Sequence, residues 1–384
     1  MKNVIGNRLL TRAAPLEPTW CQLSGASFDY DELLTLPEGD LDHILTHTHD
    51  LWQEFAGASL FITGGTGFFG HWLLSSFAAA NTRFRLNARA VVLTRDPVAF
   101  KRRSSELASD AAISFHTGDV RTFDFPKGRF SHIIHAATPA SAALNSARPL
   151  EMLDTIIEGT RHVLDFAAPF ANQPPAAKFL LCSSGAVYGR QPAEMDLVTE
   201  EYSGGPDSLD TASAYAEGKR VAELLCATYS RDHGLETKVA RCFAFLGPYL
   251  PLDAHFAAGN FLRDALAGQP IRIQGDGTPY RSYLYAADLT IWLWTILANG
   301  RSCRAYNVGS ESAVSIADLA RLIAETVSPG TPVEVAGKPV PGRLPQRYVP
   351  STRRARSELG LEERIQLPDA IRRTAVCIRA SGSR

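Results

Sequence analysis

From about residue 59 the chain alternates short, almost continuously apolar runs with longer runs of helical period. "SLFIT" predicts a strand and "FFGHWLLSSFAAA" a helix; "RAVVLT" and "DPVAFKRRSSELA" repeat the pair. "ISFHTGDV" reads as a third strand ending near Asp119, and "SHIIHAAT" as a fourth. A long amphipathic helix, "PLEMLDTIIEGTRHVLDFAA", precedes a fifth strand, "AKFLLCSSGAVYG", which runs into a loop. The helix "SAYAEGKRVAELLCATYSRDHG" and the strand "ETKVARCFAFLGP" follow. Repeated βα units whose strands lack polar alternation predict an α/β fold, with a parallel sheet covered on both faces. Before the first strand, "DLDHILTHTHDLWQEFAG" (Asp40 to Gly57) has helical spacing and predicts a helix packed outside the sheet. Beyond about residue 249 the pattern breaks into prolines and short elements, as expected of a smaller C-terminal α/β lobe over the C-terminal edge of the sheet. The expected organisation is an N-terminal extension over 1–56, the α/β sheet domain over 57–248, and mainly the smaller lobe over 249–384. Some segments of that lobe are expected to return to the sheet.

Composition narrows the class without changing the fold. The chain has 384 residues, 45% hydrophobic and 21% charged, an ordinary balance for a globular protein with a sizeable core. A formal net charge of -1 gives no basic field for nucleic acid. No apolar run reaches the length of a membrane span, and "MKNVIGNRLLTRAAPLEP" carries no apolar signal segment, so a cytoplasmic protein is expected. The six cysteines, Cys21, Cys182, Cys226, Cys242, Cys303 and Cys377, form no CxxC pair; reduced, mostly buried thiols and no metal are expected. His43 and His47 share a helix face with His49 close by, but no second ligand cluster accompanies them, and a solvated face is the expectation.

Candidate chemistry begins between the first strand and the first long helix, at "FITGGTGFFGHWLL". Gly64 suits a tight turn, Gly67 the close approach of a pyrophosphate, and Gly70 the packing of helix on strand. The helix N-terminus adds free N–H groups and a positive dipole end. The stretch reads as GxxGxxG from Gly64 or GxGxxG from Gly65. The second strand ends in Thr94-Arg95, with Asp96 displaced from the position where an acid would hold a ribose 2′-hydroxyl; Arg95 favours a 2′-phosphate, hence NADP over NAD. Asp119, followed by Val120 at a strand end, suits an adenine amino group. Tyr215 and Lys219 are four apart on one helix face, where an ammonium is expected to lower the phenol pKa from about 10 and prepare it for acid–base work.

With those residues in hand, the chain resembles the extended short-chain dehydrogenase/reductase family of NAD(P)-dependent nucleotide-sugar epimerases, dehydratases and decarboxylases. "TGGTGFFG", "GDV", "HAATPAS", "SSGAVYG", "YAEGK", "ARCFAFLGP", "GNFLRDAL", "GDGTPYRSYLYAADL" and "YNVGSE" match in order between about Leu60 and Arg373. The resemblance implies a Rossmann-like, doubly wound parallel sheet. It implies that Gly64, Gly67, Phe68, Phe69 and Gly70 bind the pyrophosphate, that Asp119 and Val120 bracket the adenine, and that Ala136, Ala137 and Thr138 line the ribose and nicotinamide. Ser184 would hydrogen-bond the sugar 4-OH, Tyr215 would remove its proton, and Lys219 would hold the ribose. Asn260 and Arg281 would contact the diphosphate of the nucleotide sugar. The long helices Leu150–Phe166 and Ala214–Arg231 would pair across a homodimer.

The departures bear on the reaction. Dehydratases of this family carry Asp-Glu where this chain has Gly185 and Ala186, and decarboxylases carry Glu at the position of Ala186. Ala244 and Ile156 stand where the family has asparagines. With the eliminating acids absent, a 4-epimerase is the expected activity. Decarboxylation of a nucleotide-linked uronic acid is the alternative, followed by 4,6-dehydration and NADPH-dependent 4-keto reduction. A non-catalytic NAD(P)-sensing module is the reading from a different class, opposed by retention of Ser184, Tyr215 and Lys219.

Overall fold

The computed structural model describes residues 35–138, 142–252 and 256–382. In chain order these form α1 (Glu38–His47), β1 (Ser59–Thr63), α2 (Phe68–Phe84), β2 (Arg89–Thr94), α3 (Pro97–Arg103), α4 (Ser105–Ser109), β3 (Ile113–Thr117), β4 (His132–His135), α5 (Ala142–Ala147) and α6 (Pro149–Ala167). They continue through β5 (Lys178–Ser184), α7 (Ala214–His233), β6 (Glu236–Cys242), β7 (Phe245–Leu246), α8 (Ala257–Leu266), β8 (Ile271–Ile273), β9 (Tyr280–Arg281), β10 (Leu284–Tyr285) and α9 (Ala286–Asn299). The last elements are β11 (Arg304–Val308), β12 (Val314–Ser315), α10 (Ile316–Val327), β13 (Val333–Val335), β14 (Arg347–Tyr348), α11 (Arg353–Leu359) and α12 (Leu367–Gly382).

Seven strands form one sheet in the order β11-β6-β5-β4-β1-β2-β3, and every pairing is parallel. This is the expected Rossmann-like, doubly wound sheet. Because β1 is buried along its whole length, its sequence carries no polar alternation. One face is closed by α2 and α9 through Trp72, Phe77, Trp292 and Trp294. The other is closed by α6 and α7 through Met152, Ile156, Val163 and Cys226. Strand order reverses between β4 and β1, and a crevice at such a switch point is where open α/β sheets bind ligands. The later chain does not stay apart from this sheet: α9 packs on it and β11 extends it beside β6. Three small sheets complete the later segments, among them β12-β9-β14, in which Tyr348 registers with Arg281.

The single helix expected over Asp40–Gly57 is two elements. Helix α1 ends at His47, and a 3-10 turn occupies His49–Phe55. Thr48 makes the break: its hydroxyl donates to the Ile44 carbonyl and accepts from the Trp52 indole. This segment is stitched to the body by buried charge. Asp40 is 1% exposed and accepts from the Tyr285 hydroxyl and the Arg373 guanidinium, each at 2.6 Å.

Of the three histidines there, His47 and His49 are exposed, as a solvated face requires, and His43 is half-buried. His43 lies 2.9 Å from the buried Asp288, because α1 docks against α9; His47 bonds the His43 carbonyl and His49 bonds Asp50. Among the described residues no cluster of His, Cys, Asp or Glu has the arrangement of a metal site, and no helix is long and apolar enough to cross a membrane. Cys182, Cys226, Cys242 and Cys377 are buried free thiols and Cys303 is exposed; Cys21 lies outside the described residues.

Candidate active site

The glycine turn sits at the switch point, between the end of β1 and α2. Gly64 adopts φ +72°, and a Cβ there would stand 2.5 Å from the carbonyl group of Ala136. A Cβ on Gly70 would stand 2.2 Å from the Gly65 backbone. Gly67, the N-cap of α2, has its nearest neighbour at 3.5 Å, so the turn is tight on its inner side and open at Gly67. Phe68 and Phe69 supply the first N–H groups of α2. Only glycines permit this cradle, and its fit to a pyrophosphate comes from that backbone and the helix dipole.

Two buried histidines hold the turn from behind. His71 donates from Nδ1 to the Gly67 carbonyl and takes a bond from Ser104 at Nε2, while stacking on Tyr249. His135 lies between Thr63 and Thr160, and Thr63 also accepts from the Ala137 N–H. The loop Ala136–Thr138 is thereby fixed beside Gly64. Burial pulls His71 down to about 4 and His135 to about 3, so both are neutral wedges. Neither was singled out in the sequence.

At the outer end, Asp119 is clamped by Arg121, whose Nε and Nη2 reach its two carboxylate oxygens at 2.8 and 3.1 Å. These bonds hold the carboxyl below its ordinary range, with Arg95 adding a smaller contribution. Arg95 therefore faces the same corner. Asp96 is spent elsewhere, as the N-cap of α3 accepting from the Ala99 N–H. Val120 differs from expectation: its side chain turns into the core against Gly159 of α6, where a Cβ would meet it at 2.9 Å. Only its backbone remains for an adenine.

The residues expected to react converge at the end of β5. Ser184 ends that strand, and its Oγ accepts from the Ala186 N–H at 3.2 Å. Tyr215 and Tyr348 lie beside Ser184, which opposes the rise that burial imposes on both phenols. Asn145 sets the start of α7: its side chain accepts from the Tyr215 N–H and donates to the Ala212 carbonyl. Lys219, fully enclosed, donates to Thr138 Oγ1 at 2.9 Å and to the Cys182 carbonyl at 2.7 Å. Burial brings its ammonium down to about 8. The expected electrostatic effect on Tyr215 is not what the geometry gives. Lys219 Nζ stands 6.0 Å from the Tyr215 ring centroid, and burial of the hydroxyl end raises the phenol, with Ser184 the group that opposes the rise.

Arg281, on β9, lies with its guanidinium 5.7 Å from the Tyr348 ring centroid. Asn260 is half-buried on α8, an element that contributes none of the Ser184 contacts. Pro139–Ser141 of the "HAATPAS" stretch lie outside the described residues.

The NAD dependent epimerase/dehydratase family matches residues 60–309, most of the chain, including the glycine turn, Ser184 and Tyr215. The chain belongs to the NAD-dependent epimerase/dehydratase family. Among curated members, UDP-glucuronic acid decarboxylase 6 of Arabidopsis thaliana is 30% identical over 62% of this chain and 67% of its own length. UDP-glucuronic acid decarboxylase 1 of Xenopus tropicalis is 32% identical over 63% of this chain, but only 55% of its own length. This family member thus spans from about half to two thirds of such relatives. Among solved structures, UDP-glucose 4-epimerase of Thermotoga maritima superposes with a TM-score of 0.69 at 21% identity, covering 84% of this chain and 99% of that one. The dTDP-glucose 4,6-dehydratase DesIV of Streptomyces venezuelae gives 0.71 at 22%, covering 85% and 98%.

Against that family, the structure gives physical reasons for the departures. A Cβ on Gly185 would stand 2.7–2.8 Å from the Phe243 ring, so the space of a missing acid is filled by an aromatic. Phe243 packs against Tyr348 with centroids 4.7 Å apart and ring planes tilted by 37°. Ile156 is buried under α7, with its side chain 3.1–3.3 Å from a Cβ built on Gly218; an apolar contact replaces the asparagine. Ala244 presents its carbonyl to the Leu284 N–H, where the short strands β7 and β10 pair. Tyr348 carried no local signal, and Phe243, although inside "ARCFAFLGP", was not picked out as a site residue.

Proposed function

We propose that this chain oxidises C4 of a nucleotide-linked sugar and restores it with inverted configuration, as a 4-epimerase. The observation that carries the reading is the loop after β5. It offers hydroxyls, at Ser184 and from Tyr215 and Tyr348, and no acid, because Phe243 fills the space beside Gly185 and residue 186 is alanine. When bound, a nicotinamide dinucleotide supplies a hydride acceptor that can give the hydride back. Gly64, Gly67, Phe68, Phe69 and Gly70 would hold its pyrophosphate, Asp119 its adenine, and Ala136, Ala137, Thr138 and Lys219 its ribose and nicotinamide. Ser184 holds the sugar 4-oxygen, and Tyr215 takes and returns its proton. Asn260 and Arg281 hold the nucleotide diphosphate, Arg281 by its forked guanidinium.

The corner formed by Arg95 and Arg121, with Asp96 committed to its helix cap, favours NADP(H) over NAD(H). Tighter NAD(H) binding by calorimetry would remove that preference. Leu150 and Leu224, 73% and 66% exposed on α6 and α7, suit a second copy across those helices.

A second reading, decarboxylation of a nucleotide-linked uronic acid, is favoured by the curated relatives. Ala186→Glu separates the two. For an epimerase the added carboxylate meets no reacting bond, and the product is unchanged with a modest loss of rate. If the variant gains rate on a nucleotide-linked glucuronic acid and releases CO2, the decarboxylase reading replaces ours. General acid–base groups contribute roughly 10²–10⁴-fold, well within detection.

A further inference from the structure

The edge of the sheet opposite the glycine turn carries a cavity that the proposed reaction does not use. Four parallel strands begin there, β1 at Ser59, β2 at Arg89, β4 at His132 and β5 at Lys178, and all four residues line it. Glu54 and Arg129 flank them, and small residues at 56–58 and 175–176 form the rest of the wall. The space measures about 470 Å³. Along β5 it lies about 20 Å from Ser184, the length of that extended strand.

The charges around this cavity do not balance. Among the described residues that line it, Glu54 is the one acid, and it is already engaged. Its carboxylate accepts from Lys178 Nζ at 2.6 Å and from His132 Nε2 at 3.0 Å, and the Ser131 hydroxyl stands 3.0 Å from His132 Nδ1. Burial lowers the His132 pKa, so the imidazole counts as neutral. Three cations, Arg89, Arg129 and Lys178, therefore face one carboxylate, an excess of two. On β6, Lys238 pairs with Glu236 at 2.9 Å and leaves that excess unchanged.

Neither arginine has an acid partner among the described residues. Arg89 is exposed at the start of β2. Arg129 is fixed by backbone, its Nη2 donating to the Gln173 and Pro175 carbonyls, and its buried Nε has no partner. Folded proteins pair nearly all buried donors, so a guanidinium N–H left open beside a cavity marks a missing acceptor.

We infer that this cavity is a second binding site, for the phosphate group of a small organic phosphate monoester. A phosphate dianion matches the excess of two positive charges, and its oxygens suit the forked donors of two guanidinium groups. The volume exceeds one phosphate and falls in the range of small-molecule sites, so the group arrives on an organic body of sugar size, seated against the small residues at 56–58 and 175–176. Glu54 limits the charge accepted: a di- or triphosphate brings more than these walls neutralise. Occupancy requires no step at Ser184.

The test is calorimetric titration of the full-length protein with glucose 1-phosphate, and separately with inorganic phosphate, at low salt, after saturation with NADP and UDP. One site per chain is expected, with inorganic phosphate the weaker ligand. The double variant Arg89→Gln/Arg129→Gln should weaken binding by at least about tenfold, the scale of one lost hydrogen bond to a charged group. Should the double variant melt early, Arg89→Gln alone, at an exposed side chain, makes the same comparison and should weaken binding by about threefold or more. Glu54→Gln keeps an acceptor for Lys178 and removes the one negative charge, so it should tighten binding by about threefold or more. Equal affinity in wild type and the arginine variants, unchanged or weaker binding in Glu54→Gln, or no binding of either phosphate at about 10 mM overturns the site. Binding that appears only without NADP and UDP places the phosphate in the cleft and overturns it as well. Inorganic phosphate held as tightly as glucose 1-phosphate overturns the organic body.

Discussion

The two sides of the cleft are built from different kinds of sequence. On the dinucleotide side, the cradle is one local turn, Gly64 to Gly70, whose geometry follows from glycine backbones and a helix N-terminus. On the sugar side, Ser184, Tyr215, Arg281 and Tyr348 come from four elements spread over 165 positions, and the order among them is set by tertiary packing. The first side tolerates almost no substitution because its contacts are backbone against backbone. The second is held by side chains and can exchange an acid for an aromatic, as at Gly185 and Phe243, without losing the fold. A family with one cofactor chemistry and several sugar chemistries is what such a division allows.

The largest expected effect lies on the sugar side. Tyr215→Phe should lower kcat by roughly 10²–10⁴-fold while cofactor binding, followed by calorimetry, stays within a few-fold, because the proton-transfer oxygen is lost and the cradle is untouched. Near-normal turnover would show that another group moves the proton. On the dinucleotide side, Gly70→Ala should destabilise the fold by about 3 kcal/mol or more, since a Cβ 2.2 Å from the Gly65 backbone has nothing flexible to displace. Denaturant unfolding that shows less than about 1 kcal/mol would mean that the turn is softer than its geometry indicates.

Most of the dinucleotide side was legible from residue order alone, because a tight turn needs glycines at fixed spacing and a buried parallel strand needs an apolar run. Six of the seven strands of the sheet followed for the same reason; β11 was not legible as a strand, because it lies in the segment of short elements beyond residue 249. What was not legible has a common cause. Thr48 breaks a helix through two side-chain bonds; Val120 turns inward because Gly159 leaves room on α6; Lys219 points to Thr138 instead of the phenol. Tyr348 comes beside Arg281 and Phe243 only because β14 pairs with β9. Each depends on a partner distant in the chain, which local spacing does not encode.

The next effect tests the supports behind the cradle by pH. His71 and His135 have folded-state values near 4 and 3, below the unfolded value of about 6.5. Between those limits the unfolded chain binds more protons, so stability rises with pH through this window and is lost as pH falls below about 6.5. Each group is expected to cost about 2 kcal/mol between pH 7 and pH 5. His135→Gln should remove part of that slope in urea titrations; an unchanged slope would mean that His135 is not the neutral wedge described.

A smaller effect sharpens the contrast at Gly185. Gly185→Ala should cost about 1–3 kcal/mol by pressing on Phe243, and the cost should fall by at least half in a Phe243→Ala background. Additive costs would show that the ring is not what excludes a side chain there.

The central claim is that the sugar is oxidised and restored at C4 with no bond broken at C5 or C6. The direct test is incubation of the full-length enzyme and NAD(P) with UDP-, dTDP-, GDP- and CDP-hexoses and uronic acids in deuterium oxide, with products read by mass spectrometry. The account predicts a product of new retention, unchanged mass and no solvent deuterium on carbon. Loss of about 18 Da or about 44 Da, the masses of water and CO2, or deuterium at C5 or C6, would contradict it.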